Sequence, residues 1–433
     1  MEGELSQLGG EKSRRQSRQR ETGWGNANSK TVPSSGVSLD PSEEGARFWG
    51  ADTREAVTGR GLDEGGDMGQ EPWGTEEEDD STDPEPKDVR EMYNPTGQAR
   101  YKAACEVFGV VPISYFLCHM HDSELTMMHH GLGPQGTKAL AVPLVTNTYI
   151  LKLNLRDNWM EEMGGAALAE MLKENCYITD IDLSENRLRD MGANAISNML
   201  LENTTLIRLN LSANNFGDQA AAGLARAFVG NLKLQEVDLS HNTMSEKSGE
   251  ILGDAIAENT SLRRLNLAWN CIRGKGTLAV AKGLGANIFL RVLDLSYNGF
   301  AGDGAAALGE ALKTNNVLEE LNISNNRIPP DGAIRFATGL RVNKTIKSLN
   351  MSRNPLQSAG CHGVLKAVQG NPGSAVESLD FSDISVNKDF EDLCNAVKDA
   401  FPGLQVKHGG SSSMFKGPQG AVPAKRGQNG AAV

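Results

Sequence analysis

A period of 28 residues constrains the fold of this chain more than any other feature. Units of the form L-x-x-L-x-L-x-x-N-x-L begin at Ile150, Ile178, Leu206, Leu234, Leu262, Leu290, Leu318 and Ile346, each 28 residues after the one before. A degenerate unit places Leu125, Met127, His130 and Leu132 in register, and another begins at Val376 after a two-residue insertion. Repetition in register predicts a solenoid of one repeated supersecondary structure. We number the positions of each unit from 1, at its first template residue.

Each unit predicts one strand followed by one helix. Apolar residues at positions 4 and 6 alternate as in a strand with one buried face. The rest of the unit changes period, and Ile196, Met199 and Leu200 show the apolar stripe of a helix. Small residues at position 15, such as Gly192 and Gly276, are expected to let the helix backbone approach the strand backbone. Because strands pack about 4.8 Å apart and helices about 10 Å apart, the stack should bend. The predicted fold is therefore an α/β right-handed horseshoe with a concave parallel sheet and convex helices.

Two series of asparagines recur in the repeats. The first occupies position 9, where the strand turns away from the sheet and backbone groups fall outside any regular ladder. We expect the amides of this structural asparagine ladder to bond those groups, at Asn158, Asn186, Asn214, Asn242, Asn270, Asn298, Asn326 and Asn354. The second occupies position 26, where the tolerance of asparagine for the left-handed conformation predicts a helix end. Its members are Asn147, Asn175, Asn203, Asn231, Asn259, Asn287, Asn315, Asn343 and Asn371.

The ends of the chain differ from the repeats in composition. Residues 1–98 carry 22 acidic and 11 basic side chains and thus contribute −11 to the net charge of −12. They offer little apolar surface to offset the entropy of ordering, so we expect a disordered acidic arm over residues 1–98 and a disordered tail over residues 409–433. Between them we expect an N-terminal cap over residues 99–121 and the solenoid over residues 122–406. The run from Glu76 to Asp80, beside Trp73, suits a docking motif, a phosphorylation target or a solvated linker.

Charge and hydropathy exclude several classes of function. The residues after the acidic arm are close to neutral, which argues against a broad grip on nucleic acid and gives no reason to expect membrane binding. No leader is apparent, and no apolar run reaches the roughly 18 residues of a membrane span. The six cysteines are scattered and read as reduced thiols. A cytoplasmic protein is therefore expected.

The repeat pattern carries a resemblance to a known family. With 28-residue units that each contain the template and a full helix, the chain resembles the ribonuclease-inhibitor class of leucine-rich-repeat proteins. The run from Tyr101 to about His408 is similar to the leucine-rich repeat-containing protein 74 group. The class implies an α/β horseshoe that binds proteins on its concave face or edges. The same repeat occurs in Ran GTPase-activating proteins, NOD-like receptors and axonemal or actin-regulating proteins, so the resemblance names no partner.

Position 8 supplies the candidate protein-binding residues. In three consecutive units it holds His241, Trp269 and Tyr297, although the template demands no aromatic residue there. Charged residues at positions 2 and 3 of nearby units complete the candidate set: Arg208, Glu236, Arg264 and Arg291. Aromatic residues beside arginines are typical of protein interfaces, and rings that merely cover the underlying loop are the alternative. Positions 5 and 7, which are uniformly polar or small, indicate a structural ladder.

Other motifs argue weakly for chemistry. His119, His121, His129 and His130 are metal-ligating residue types, but His130 occupies the asparagine slot of a degenerate unit, which favours a structural role. The run from Gly274 to Thr277 lacks the spacing of a phosphate-binding loop. No triad or carboxylate pair stands outside the ladder. We therefore predict no metal, no cofactor and no catalysis.

The favoured interpretation is a monomeric scaffold or adaptor that binds a protein partner on the concave face or edge of the arc. A Ran-type GTPase-activating protein is the alternative from another class. Against it, the acidic run here precedes the repeats, whereas in that family it follows them. A ciliary or axonemal structural subunit is a third interpretation, which the sequence neither supports nor excludes.

Overall fold

The computed structural model describes residues 97–410. The arm predicted over residues 1–98 and the tail predicted over residues 409–433 lie outside this range, apart from two residues of each. Trp73 and the acidic run from Glu76 to Asp80 lie outside it as well.

Within this range, eleven short strands alternate with helices. The strands are Glu124–Thr126 (β1), Lys152–Asn154 (β2), Asp180–Asp182 (β3), Arg208–Asn210 (β4), Glu236–Asp238 (β5), Arg264–Asn266 (β6), Val292–Asp294 (β7), Glu320–Asn322 (β8), Ser348–Asn350 (β9), Ser378–Phe381 (β10) and Gln405–His408 (β11). The helices are Gln98–Phe108 (α1), Ser114–His119 (α2), Gly133–Leu144 (α3), Glu161–Glu174 (α4), Arg189–Glu202 (α5), Asp218–Gly230 (α6), Glu246–Glu258 (α7), Lys275–Ala286 (α8), Ala301–Thr314 (α9), Pro330–Leu340 (α10), Gln357–Gln369 (α11) and Lys388–Ala400 (α12).

The strands form one parallel sheet in chain order, from β1 to β11. In the regular units the register equals the repeat, so that Leu153 pairs with Ile181 and Leu265 with Leu293. A parallel neighbour must be reached by a crossover, and the helix of each unit supplies it. The predicted α/β leucine-rich-repeat solenoid is confirmed by this topology.

The core is one continuous layer between the sheet and the helices. Its members are the template residues of each unit and the inner stripe of each helix, as in Leu262, Leu265, Leu267 and Ile272, none more than 3% exposed. Phe300 fills the same position as Ile272 and is equally buried. A single unit has no second surface to cover these side chains, so neighbouring units stabilise one another by stacking.

The second asparagine series ends the helices by a different means from the one predicted. In Asn175 the backbone is extended, with φ −72° and ψ 120°, and none of the nine asparagines has a positive φ. Asn175 instead donates from Nδ2 to the carbonyls of Leu144 and Asn147 in the preceding unit, at 2.8 and 3.0 Å. Its Oδ1 accepts from the backbone N–H groups of Tyr177 and Ile178. The left-handed prediction for position 26 was therefore wrong, because bonds between units satisfy the helix end.

The left-handed conformation occurs at position 8 instead. Every residue at that position, from His129 to Asp383, has φ between 51° and 62°. The chain leaves the strand there and must turn sharply before the buried asparagine at position 9. Since non-glycine residues adopt this conformation at a cost of about 1–2 kcal/mol, the surrounding turn must hold it in place.

The small residues at position 15 face the preceding helix, whereas the sequence analysis placed them against a strand. A Cβ on Gly276 would lie 2.4 Å from the carbonyl oxygen of Glu246 in α7. Further along α8, a Cβ on Gly283 would lie 2.1 Å from the carbonyl oxygen of Gly253, so the two backbones touch. The glycines therefore set the spacing between neighbouring helices on the convex side.

Both ends of the solenoid carry additional helices. At the N-terminal end, the buried ring of Tyr101 in α1 meets that of Phe116 in α2 edge to face, with centroids 4.7 Å apart. At the C-terminal end, Phe390 and Val397 of α12 pack into the core under β10 and β11. Within residues 97–410, no helix combines the length and the apolar character needed to cross a membrane.

Candidate protein-interaction surface

The concave face is a groove lined by the first seven strands. It has a volume of about 590 Å³ and is bordered by the residues of positions 3, 4 and 5, including Arg208, Glu236 and Arg264. Side chains of a strand alternate between faces, so position 4 enters the core while positions 3 and 5 project into the groove. The groove is thus a surface of two polar rows.

The position-3 row alternates in charge. From β1 to β6 it runs Glu124, Lys152, Asp180, Arg208, Glu236 and Arg264. Ion pairs join these residues two by two: Lys152 with Glu124, Arg208 with Asp180, and Arg264 with Glu236 at 3.8 Å. The opposite charges therefore cancel along this row.

The position-5 row is a hydrogen-bonded ladder of alternating asparagine and aspartate. Asn266 donates from Nδ2 to Oδ2 of Asp238 on the neighbouring strand at 2.8 Å, and Asn322 does the same to Asp294. The other oxygen of Asp238 accepts the backbone N–H of Ser240. These bonds orient the carboxylates, but in the described part of the chain Asp182, Asp238 and Asp294 form no ion pair. The negative charge of this row is therefore not cancelled by neighbouring side chains.

The three aromatic residues at position 8 form one stack. The rings of His241 and Trp269 are nearly parallel with centroids 5.1 Å apart, and those of Trp269 and Tyr297 lie 3.6 Å apart at 12°. The side chains leave the turn after the strand, so the stack lies along the edge of the sheet. Trp269 is 47% exposed, which is unusual for so large a side chain. The stack therefore presents apolar ring edges to solvent.

An arginine two units away holds one end of the stack. Arg353, also at position 8, passes Asn325 and donates from Nη1 to the Tyr297 hydroxyl at 3.0 Å. Its Nε donates to Asp383 at 2.8 Å. The hydrogen bonds to Asp383 and Tyr297 raise the pKa of the Arg353 guanidinium. The row from Asp383 to His241 is thus a connected series of contacts.

The structure separates the candidate residues into two groups. His241, Trp269 and Tyr297 come together at the end of the strands, as their spacing indicated. Arg208, Glu236 and Arg264 lie in the position-3 row at the start of the strands, five residues earlier in each unit. Arg291, at position 2, pairs with Glu319 at 2.6 Å. The arginines are therefore engaged in ion pairs and do not flank the rings.

The position-9 asparagines lie beneath the stack and are buried. Asn270 is 7% exposed and donates from Nδ2 to the carbonyls of Leu239, Leu267 and Ala268, at 3.0, 3.2 and 3.2 Å. Its Oδ1 accepts the N–H of Met244 in the preceding unit at 3.1 Å. Equivalent bonds recur along the series, from Asn158 to Asn354. Each side chain thus joins the turns of two neighbouring units and supports position 8.

The four histidines near the N-terminal end do not converge on one point. His119 pairs with Asp122 and His129 with Asp157, each at 2.7 Å, while Nδ1 of His130 donates to the Met128 carbonyl at 2.9 Å. His121 contacts the ring of Tyr149 instead. Among residues 97–410, no three histidine, cysteine or carboxylate side chains are grouped as metal ligands would be.

One exposed residue near the edge was missed by the sequence analysis. Trp159, at position 10, is 55% exposed, and the guanidinium of Arg187 lies 4.9 Å above its ring. Its Nε1 donates to Asp157 at 3.1 Å. The signal in the sequence was a tryptophan at a template position with no apolar requirement. Trp159 lies four units before Trp269 and extends the aromatic character of this edge.

Comparison with known proteins agrees with this geometry. The family model described as Leucine Rich repeat matches residues 174–197, 202–225, 258–281, 286–309, 314–337 and 342–362. These stretches lie in the 28-residue register of the coordinates. The chain thus contains leucine-rich repeats. Each matched stretch contains one strand and the start of the helix that follows it.

Two curated relatives match short segments. The chain is 49% identical over 57 residues to human Leucine-rich repeat-containing protein 74B, covering 13% of this chain and 14% of the relative. It is 48% identical over 50 residues to the mouse protein of the same name, covering 12% and 13%. The matched segments thus span about one seventh of each relative, and they place this repeat protein near the leucine-rich repeat-containing protein 74 group.

Two solved structures match this chain at low sequence identity. Leiomodin-1 Actin-Binding Site 2 superposes with a TM-score of 0.31 and 20% identity, over 34% of this chain and 86% of that one. The TLR13–ssRNA13 complex gives a TM-score of 0.39 and 15% identity, over 65% and 38%.

Proposed function

We propose that this leucine-rich-repeat protein is a non-enzymatic scaffold or adaptor that binds a protein partner on the edge and concave face of its repeats. The observation that carries the proposal is the exposed stack of His241, Trp269 and Tyr297. Leucine-rich repeats generally mediate protein–protein interaction, and this stack has the residue types that dominate interface energetics. The Ran-type and axonemal interpretations gain no specific support from the geometry.

Conformational cost supports an active role for these rings. All three adopt φ between 53° and 56°, a conformation that asparagine and glycine accept most readily. Position 8 of the next unit along the chain is an asparagine, Asn325, with the same left-handed backbone. Three aromatic residues therefore occupy a turn position whose backbone conformation suits asparagine better, and their rings are not part of the core. A role in binding would explain both their presence at this position and their exposure.

The two polar rows supply a second contact region. Arg208, Glu236, Arg264 and Arg291 are proposed to take part there through the ion-paired surface that they form with their neighbours. Exposed ion pairs contribute only about 0–1 kcal/mol to stability, so a partner can exchange them at little cost. We propose that the rings provide affinity and that the charged rows set orientation.

The proposal includes a cytoplasmic monomer that needs neither cofactor nor metal and contacts neither nucleic acid nor membrane. The near neutrality of the repeats and the carboxylates of the groove support the last point, because phosphate groups would be repelled there.

A proximity-labelling experiment tests the proposal. Full-length wild type is compared with a double variant, Trp269→Asn with Tyr297→Asn, which replaces two rings by the residue found at Asn325. Proteins labelled by wild type should be recovered about tenfold less with the variant, a loss of roughly 1.4 kcal/mol. The matched control is Ile288→Asn, which removes an apolar side chain that is 63% exposed at position 27.

The control should label the same proteins as wild type, and thermal melts should show all three chains folded. Equal recovery by wild type and the double variant would remove the stack from the binding surface and end the proposal in this form.

A further inference from the structure

The aromatic stack is asymmetric at its two ends. Tyr297 is held by Arg353, which is itself paired with Asp383. At the other end, the only ring contact of His241 in the described residues is with Trp269, and its imidazole nitrogens have no hydrogen bond there. The next residue at position 8 is Ala213, which has no ring. The outward face of the His241 ring is therefore not covered by the row that builds the stack.

The absence of a side chain beyond Cβ at Ala213 creates a slot. Adjacent strands are about 4.8 Å apart, so equivalent side chains of units separated by two strand spacings lie about 10 Å apart. The slot is bounded by the His241 ring on one side and by Glu185, the next residue in the row, on the other. One planar group stacks within such a width, as the 3.6 Å separation of Trp269 and Tyr297 illustrates.

The strands on either side of β4 carry carboxylates near the slot. Asp182 on β3 and Asp238 on β5 lie on the strands that flank β4, the strand leading to Ala213. Neither carboxylate has an ion-pair partner among residues 97–410. Glu185, on the far side of the slot, pairs with Arg156 at 2.5 Å, so its negative charge is balanced. The charges of the two aspartates are not balanced by an ion pair. The surroundings thus favour a cation and disfavour an anion.

We propose that the slot binds an arginine side chain of the partner protein, with its guanidinium stacked on the His241 ring over Ala213. The inference rests on the proposed function and adds the chemistry of the partner. A guanidinium is planar, remains charged and stacks on aromatic faces, whereas the ammonium of lysine is a compact, strongly hydrated charge that gains less from a flat ring. The partner segment is therefore basic and contains arginine in particular.

Two substitutions at Ala213 isolate the slot. Ala213→Tyr adds a fourth ring to the stack and fills the slot, in a turn that already accepts tyrosine at Tyr297. Ala213→Asn introduces an asparagine, which position 8 already holds at Asn325, and it adds no ring. Both substitutions are expected to keep the position-8 turn, and equal melting temperatures would show that the two variants are equally stable. A difference in peptide binding between them then reports on the slot.

The probe is a displayed library of random 12-residue peptides. The library is first depleted on full-length Ala213→Tyr, which removes peptides that bind the acidic arm or any surface other than the slot. It is then selected on full-length wild type. Recovered peptides should be enriched in arginine, and replacing that arginine by lysine should weaken binding about tenfold. They should bind Ala213→Asn within about threefold of wild type and lose at least about tenfold on Ala213→Tyr and on His241→Asn.

Recovery of peptides without arginine, equal binding of arginine and lysine peptides, unaltered binding to His241→Asn, or no recovery at all would overturn the proposal. The proposed function would survive any of these results if the Trp269 and Tyr297 variant still lost its labelled proteins. Equal labelling by wild type and by the Trp269 and Tyr297 variant would contradict the proposed function itself.

Discussion

At the scale of single residues, each turn after a strand depends on two adjacent residues, at positions 8 and 9, that are constrained in different ways. Position 8 must adopt a left-handed backbone, and it points outward, so its side chain is free to vary from Ala213 to Trp269. Position 9 is buried and must bond several backbone groups at once, so it stays asparagine in all eight regular units. Structural constraint and functional variation thus lie next to each other in the chain.

Replacement of Asn270 by alanine should destabilise the protein by about 1–3 kcal/mol. The change leaves three carbonyls and the N–H of Met244 without their partner in a buried turn. Urea unfolding measures the difference, with Asn198→Ala on the exposed face of α5 as the control, for which little change is expected. An unchanged free energy of unfolding for Asn270→Ala would contradict a structural role for the ladder.

At the scale of elements, several helices begin with help from the preceding unit. Asp190 in α5 accepts the N–H groups of Gly217 and Ala220 at the start of α6. Asp218 in α6 accepts those of Ser245 and Ser248 at the start of α7, and also both hydroxyls. A carboxylate near a helix N-terminus satisfies free N–H groups and interacts favourably with the helix dipole. Capping across units thus joins neighbouring helices on the convex side.

The cap formed by Asp218 should make stability depend on pH. Burial raises the pKa of Asp218, but the hydrogen bonds from Ser248 and Ser245 outweigh it and hold the pKa below its ordinary value. A carboxyl with a lowered folded pKa stabilises the fold above its unfolded pKa of about 3.9, and this contribution is lost as the pH falls through the folded value.

Asp218→Asn should therefore cost about 1–2 kcal/mol at pH 7, and the difference from wild type should shrink as the pH falls below the unfolded pKa of about 3.9. Urea titrations at several pH values measure this difference. Asp254→Asn, on the exposed face of α7, is the control and should follow wild type at every pH. A difference that stays constant with pH would exclude the charged cap.

At the scale of the whole described region, stability is a sum of contacts between neighbours. Each unit packs on the one before and the one after, and the end units need covers. The buried pair of Tyr101 and Phe116 covers the first repeat. Damage at one end should therefore weaken nearby repeats before distant ones.

Phe116→Ala should remove about 3–5 kcal/mol of local packing. Hydrogen exchange followed by mass spectrometry should show faster exchange in β1, α3 and β2, while β8 to β10 keep wild-type protection. The control is Tyr115→Ala, the adjacent ring, which is 41% exposed. Equal loss of protection in every repeat would show that the solenoid unfolds as one cooperative unit and would contradict local coupling.

The unit, the order of its strand and helix, and the residues that face the core could all be predicted from the amino-acid sequence. These follow from local periodicity: apolar alternation at Leu265 and Leu267 places a strand, and the change of period after Asn270 places a helix. The same period brought His241, Trp269 and Tyr297 into one row, because residues 28 apart occupy equivalent positions on adjacent strands.

The contacts between neighbouring units could not be predicted in this way and are seen only in the folded chain. The reach of Arg353 past Asn325, the contact of Gly283 with the α7 backbone and the bonds that replace a left-handed Asn175 depend on distances between units. The separation of Arg264 from Trp269 depends on where the strand ends within its unit. Local patterns do not encode these distances, because the spacing of neighbouring units is set by the packing of all their side chains together.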